Sequence, residues 1–154
     1  MTRQRRRRRW SPTLPPDVAK GPPAFADQTV LLVEDEILIR TVIADYLRQC
    51  GFKVIEAAGA DEAIMVLKRP DIAVSIVFSD VEMPGEMDGF GLSQWVRSNR
   101  PGLAVLLAGT LTKTADTAAK LCEKGPALKK PYEPHIAVQH IKRLLAARSD
   151  ESPT

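Results

Sequence analysis

Apolar residues in this chain fall into short blocks that alternate with stretches of helical spacing. Thr29 to Val33 (TVLLV) is a continuous apolar run, the pattern of a strand covered on both faces. Glu36 to Cys50 then places Ile39, Val42, Ile43, Tyr46, Leu47 and Cys50 on one helical face, with Gly51 as a stop. Phe52 to Glu56 reads as a short strand, and Asp61 to Arg69 as a helix with Ile64 and Leu67 inward, ended by Pro70. Ile72 to Ser79 is a second fully apolar strand. Gly89 to Asn99 is a helix with Leu92, Trp95 and Val96 on one face, broken by Pro101-Gly102. Leu103 to Ala108 is a strand, Ala115 to Glu123 a weaker helix, and Ala127 to Lys129 a short strand. Pro134 to Arg148 closes the series as a helix with Ala137, Ile141, Leu144 and Leu145 inward.

Five strand–helix units with short connections predict an α/β fold, a parallel sheet with helices on both faces and right-handed crossovers. In such sheets ligands gather beyond the carboxyl ends of the central strands. The residues at those ends are Glu34 and Asp35, then Asp80, then Gly109-Thr110, then Lys130-Pro131. Alone, each has an ordinary explanation. An aspartate after a strand is commonly a helix N-cap or turn former, and a lysine is commonly a solvated charge. Together they put three acids, a hydroxyl and an amine on one edge. Carboxylates brought close repel one another, and burial adds to the cost, so a cation is expected among them. An all-oxygen set with few protein ligands suits Mg²⁺, which keeps several waters and often shares its shell with a phosphate.

Composition changes this picture in one place. The chain of 154 residues carries a net charge of +3. Residues 1–24 hold Arg3, Arg5 to Arg9 and Lys20 against Asp17, a net of +6, which leaves −3 for the remainder. The Arg/Pro-rich segment 1–26 therefore reads as a disordered tail, and the part that folds is mildly acidic. Nucleic-acid contact is expected only through that tail. No apolar run approaches the roughly 20 residues that span a bilayer, and no apolar signal segment follows the arginines. Cys50 and Cys122 lack metal-ligand spacing and read as reduced thiols, so a cytoplasmic location is expected.

The motifs "LLVEDE", "SDVEMPGEMDG" and "LKKPY" resemble, in order and spacing, the receiver domain of two-component response regulators, over roughly residues 28 to 147. The resemblance implies a flavodoxin-like sheet of order 2-1-3-4-5, with the domain occupying 27–148 and a short flexible end at 149–154. It implies that Asp80 is the phosphoacceptor, taking a phosphoryl group from a histidine kinase or histidine phosphotransfer protein in a phosphorelay. Glu34, Asp35, Asp80 and the backbone carbonyl of Glu82 would hold Mg²⁺. Lys130 would pair with the phosphoryl oxygens, with Pro131 (typically after a cis bond) fixing its turn. The chemistry agrees, because phosphoryl transfer asks a protein mainly for positioning and charge neutralisation. Such a domain is not an enzyme beyond assisting its own phosphorylation and dephosphorylation. With only Ser149 to Thr154 after the last helix, a stand-alone receiver is expected, read out by an unknown downstream protein through the last two helices and last strand. Lys142, Arg143 and Arg148 on the final helix read as solvated charges.

Two positions depart from the family pattern. The hydroxyl that usually closes the fourth strand falls on Gly109, with Thr110 one place later, and a one-residue shift normally turns a strand side chain to the other face. The usual aromatic position is Ala127. The link from Pro84 to Met87 is also one residue longer than usual. Three other readings compete. "DVEMP" resembles an aspartate-nucleophile phosphatase signature, with Glu82 in the place of the second acid. "GTLTKT" lacks the glycines of a phosphate-binding P-loop, at Leu107 and Thr112, and is rejected. The third is a degenerate receiver acting as a binding module through its arginine tail.

Overall fold

The computed structural model describes residues 25–110 and 128–150. Five strands, β1 (Thr29–Val33), β2 (Lys53–Ala57), β3 (Ile76–Asp80), β4 (Ala104–Gly109) and β5 (Leu128–Lys129), form one sheet of order β2-β1-β3-β4-β5. All neighbours pair in parallel. Helices α1 (Ile37–Gln49), α2 (Ala60–Leu67), α3 (Gly89–Asn99) and α4 (Pro134–Asp150) cover both faces. Residues 1–24 of the tail with its nucleic-acid reading, the helix expected at Ala115 to Glu123, and Ala127 lie outside the described residues, as does Cys122; Cys50 is a half-buried free thiol.

The strand pleat sorts the core into two layers. Along β1, Val30 and Leu32 face α1 and α4, while Leu31 and Val33 face α2 and α3. Burial on both sides is why β1 and β3 contain no exposed residue. Gly51, with φ 97°, ends α1 in the left-handed region that the absence of a Cβ permits.

Three details correct the sequence reading. The apolar run from Ile72 is longer than the strand: β3 starts at Ile76, and Ile72 and Val74 pack into the α2/α3 layer from the connecting segment. Ser75 pins that segment, since its hydroxyl oxygen accepts from the Thr29 amide at 3.0 Å while its own amide donates to the Thr29 carbonyl at 2.9 Å. Helix α1 buries Ile43, Ala44 and Leu47, whereas Val42 is 61% exposed and Leu38 74% exposed. Lys142 and Arg148 are engaged rather than merely solvated. Lys142 Nζ lies 5.6 Å from the centre of the Phe25 ring, and Arg148 Nη1 donates to the Ser75 carbonyl at 2.7 Å. Phe25, which composition groups with the tail, stacks on Phe52 at 5.4 Å.

Candidate functional site

The sheet register brings the site together. Val33 pairs with Ser79, so Glu34, one residue on, comes level with Asp80 at the end of β3. Asp80 pairs with Ala108, and Gly109 with Lys129, so Lys130 follows one residue beyond the end of β5. The Val81 amide donates to the Ala108 carbonyl (2.9 Å) and the Lys130 amide to the Gly109 carbonyl (3.1 Å), which carries the order just past the strands.

Glu34 and Asp80 are buried, at 3% and 7% exposure, and Asp35 is exposed. One carboxylate oxygen from each of the three lies within 4.8 Å of the others. Lys130 Nζ sits 2.7 Å from Asp80 Oδ2 and 3.5 Å from Glu34 Oε2. The Glu82 amide donates to Asp80 Oδ1 at 3.3 Å, and the Glu36 amide at the start of α1 donates to Glu34 Oε1 at 3.2 Å. The Lys130–Pro131 bond is cis.

Burial raises the Asp80 carboxyl above its ordinary value and outweighs the hydrogen bond and charge of Lys130, which pull the other way. Burial likewise raises Glu34, the Glu36 amide opposing it and the Asp80 charge adding to it. For Lys130, burial acts to lower the amine, but its hydrogen bond to Asp80 and the two acidic charges prevail and raise it. Burial also raises the Tyr132 hydroxyl, with the charges of Glu34 and Asp80 adding to the effect. Its ring lies 5.9 Å from that of Phe78. Two carboxylates held partly against their own ionisation, with a third acid beside them, form a donor set that a hard divalent cation satisfies. Mg²⁺ fits these residues.

Thr110 lies just beyond the end of β4. Its Oγ1 donates to Glu82 Oε1 at 3.0 Å. Gly109, at the place of the usual hydroxyl, is buried in the strand. Two contributors escaped the sequence reading. Arg40 Nη1 donates to the Glu34 carbonyl at 2.8 Å, tying α1 to the acidic loop. Gly89 lets the start of α3 press on the site: a Cβ there would overlap the Asp80 carbonyl oxygen and lie 2.8 Å from Val81 Cα. Asp88 caps the same helix, accepting from the Gly91 amide at 2.9 Å. An Asp-Gly pair before a helix is the signal that could have disclosed this approach.

A parallel sheet of this order, with acids and a lysine at its carboxyl edge, defines a doubly wound domain of the flavodoxin-like class. The model of the response regulator receiver domain matches residues 30–142, and the chain belongs to that family. It is 38% identical over 116 residues to the response regulator protein FleR of Pseudomonas aeruginosa, covering 74% of this chain and 24% of that protein. It is 32% identical over 127 residues to the sensor histidine kinase RcsC of Salmonella typhi, covering 80% of this chain and 12% of that protein. The fold matches the solved receiver domain from Clostridium thermocellum with a TM-score of 0.70 at 20% identity, over 79% of this chain and 97% of that one. The chain thus spans a quarter or less of both curated relatives. Receiver domains of this family are in general phosphoacceptors that work with histidine kinases and phosphotransfer proteins, and are not classical enzymes. No helix among the described residues is long and apolar enough to cross a membrane.

Proposed function

We propose that this chain accepts a phosphoryl group on Asp80 from a phosphohistidine of a histidine kinase or phosphotransfer protein. The observation that carries the reading is Lys130 Nζ at 2.7 Å from the Asp80 carboxylate, beside two further acids. An Asp80 oxygen forms the new bond to phosphorus as the donor's phosphorus–nitrogen bond breaks, and the electron pair of that bond stays on the histidine nitrogen. Lys130 neutralises charge on the incoming phosphoryl oxygens. The Glu82 amide, 3.3 Å from Asp80 Oδ1, orients the carboxylate. Glu34, Asp35, Asp80 and the Glu82 carbonyl would hold Mg²⁺, which when bound offsets the charge gathered in the transferring group. Thr110 is a further candidate for contact with that group.

A groove of about 610 Å³ adjoins Lys130, lined by Leu38, Ile39 and Val42 of α1 together with Thr110, Pro131 and Tyr132. Exposed apolar side chains beside the acceptor support docking and readout through a protein partner. Intact mass after incubation with a small phosphodonor and Mg²⁺ tests the assignment. One added phosphoryl group is expected, absent without Mg²⁺ and absent in Asp80→Asn. A mass gain that persists in Asp80→Asn refutes it.

A further inference from the structure

Residues 34–36 carry the chain from the end of β1 into α1, and two of the clustered acids, Glu34 and Asp35, sit on this corner. The Glu34 amide donates to the Ala57 carbonyl at 3.1 Å, and the Glu34 carbonyl accepts from Arg40 Nη1 at 2.8 Å. That carbonyl belongs to the peptide joining Glu34 to Asp35, so Arg40 sets the plane from which both carboxylates depart. Arg40 is itself braced. Its Nε lies 3.5 Å from Glu56 Oε1 on β2, while Arg48 holds the other oxygen of that carboxylate at 3.0 Å. Resting on the phosphoacceptor reading above, we propose that Arg40 is a positioning residue: braced by Glu56, it fixes the Glu34–Asp35 peptide and so sets the affinity of the acidic cluster for Mg²⁺.

The sheet supplies the brace. Glu56 pairs with Leu32 of β1 and shares with Val54 the face of β2 that packs toward α1. The Arg40 side chain is 16% exposed and that of Glu56 32%, so both charges are partly withdrawn from water. A guanidinium so placed needs its counter-charge, and without Glu56 it is drawn toward solvent and loosens its hold on the carbonyl. Its rigid fork of donors lets one side chain serve a carbonyl and a carboxylate together. Lys130 meets the side chains of the acids, whereas Arg40 meets the Glu34 backbone. Groups that orient metal ligands without touching the metal commonly change its affinity by about ten- to a hundredfold. Plain electrostatics predicts the opposite sign, because removing a cation beside a cation site strengthens Mg²⁺ binding.

Titration of the full chain with Mg²⁺, followed by amide NMR, tests this, with urea unfolding in chelator as a separate measure of the fold. Arg40→Met should weaken Mg²⁺ binding about tenfold, where loss of its charge alone would tighten it. Glu56→Gln should weaken binding about threefold when Arg40 is present, and about 1.5-fold or less in the Arg40→Met background, the part due to charge alone. Unchanged or tighter binding in Arg40→Met, or equal weakening by Glu56→Gln in both backgrounds, overturns the proposal while leaving Asp80 as acceptor intact. If Arg40→Met does not fold, Glu56→Gln decides: weaker binding at unchanged stability in chelator upholds the proposal, and unaltered binding overturns it. Failure of the wild type to bind Mg²⁺ overturns the metal reading of the site and this proposal with it.

Discussion

Replacing Asp80 by Asn removes a charge while keeping shape and hydrogen-bonding capacity, and the structure sets the sign of the result. At an effective dielectric of about 20, Lys130 at 2.7 Å attracts the Asp80 carboxylate by ~6 kcal/mol. The two acid–acid separations of up to 4.8 Å oppose this with ~3.5 kcal/mol each at that limit, so the Coulombic terms nearly cancel. What remains is the cost of taking a carboxylate at 7% exposure out of water, and burial is indeed the largest influence on Asp80. Without divalent cation, Asp80→Asn should therefore be more stable than the wild type, by about 1–3 kcal/mol. The pH dependence has a definite direction. Asp80 and Glu34 have folded values above their ordinary 3.8 and 4.5, so the folded state holds more protons than the unfolded one between the two limits. The penalty is fully present above the raised values and fades as the pH falls towards the ordinary ones. The wild type in chelator should gain on Asp80→Asn as the medium is acidified from neutrality. Mg²⁺ should reverse the ranking, adding about 2.7 kcal/mol to the wild type at a hundred times its dissociation constant and less to the variant. Urea unfolding followed by circular dichroism, with chelator and with Mg²⁺, measures all three. A variant less stable than the wild type in chelator would mean that the Lys130 pair outweighs burial, and the reasoning would fail.

Two further outcomes are expected. Alanine is the better helix former by about 1 kcal/mol, yet Gly89→Ala should destabilise by about 1–3 kcal/mol because its Cβ meets the Asp80–Val81 backbone; a stabilised variant, by chemical denaturation, would show that the close approach is absent. Leu38→Ser with Val42→Ser should leave unfolding within about 0.5 kcal/mol per site and small-donor labelling unchanged, but slow transfer from a protein phosphodonor about tenfold or more; undiminished transfer would remove α1 from the docking surface.

The sheet and its acidic edge were legible because β1 and β3 are covered on both faces, which forces uninterrupted apolar runs, and because each run stops where an acidic side chain begins. Periodicity cannot tell a residue facing the core from one facing a groove, so it groups Val42 on one face with Ile43 and Leu47, whereas Val42 lines the cleft beside Lys130. Nor could it separate Ile72 and Val74, apolar for packing, from the strand they precede. The Glu82–Thr110 bond and the Arg40 contact depend on how loops and a helix end turn toward the site, and no local pattern encodes that.

Lys130 fastens the tip of β4 through its backbone, at the Gly109 carbonyl, and gathers two acids through its amine. One residue thus serves as both rivet and counter-charge. Shortening this side chain would strip the counter-charge from the acids and still leave the seam between the last two strands closed.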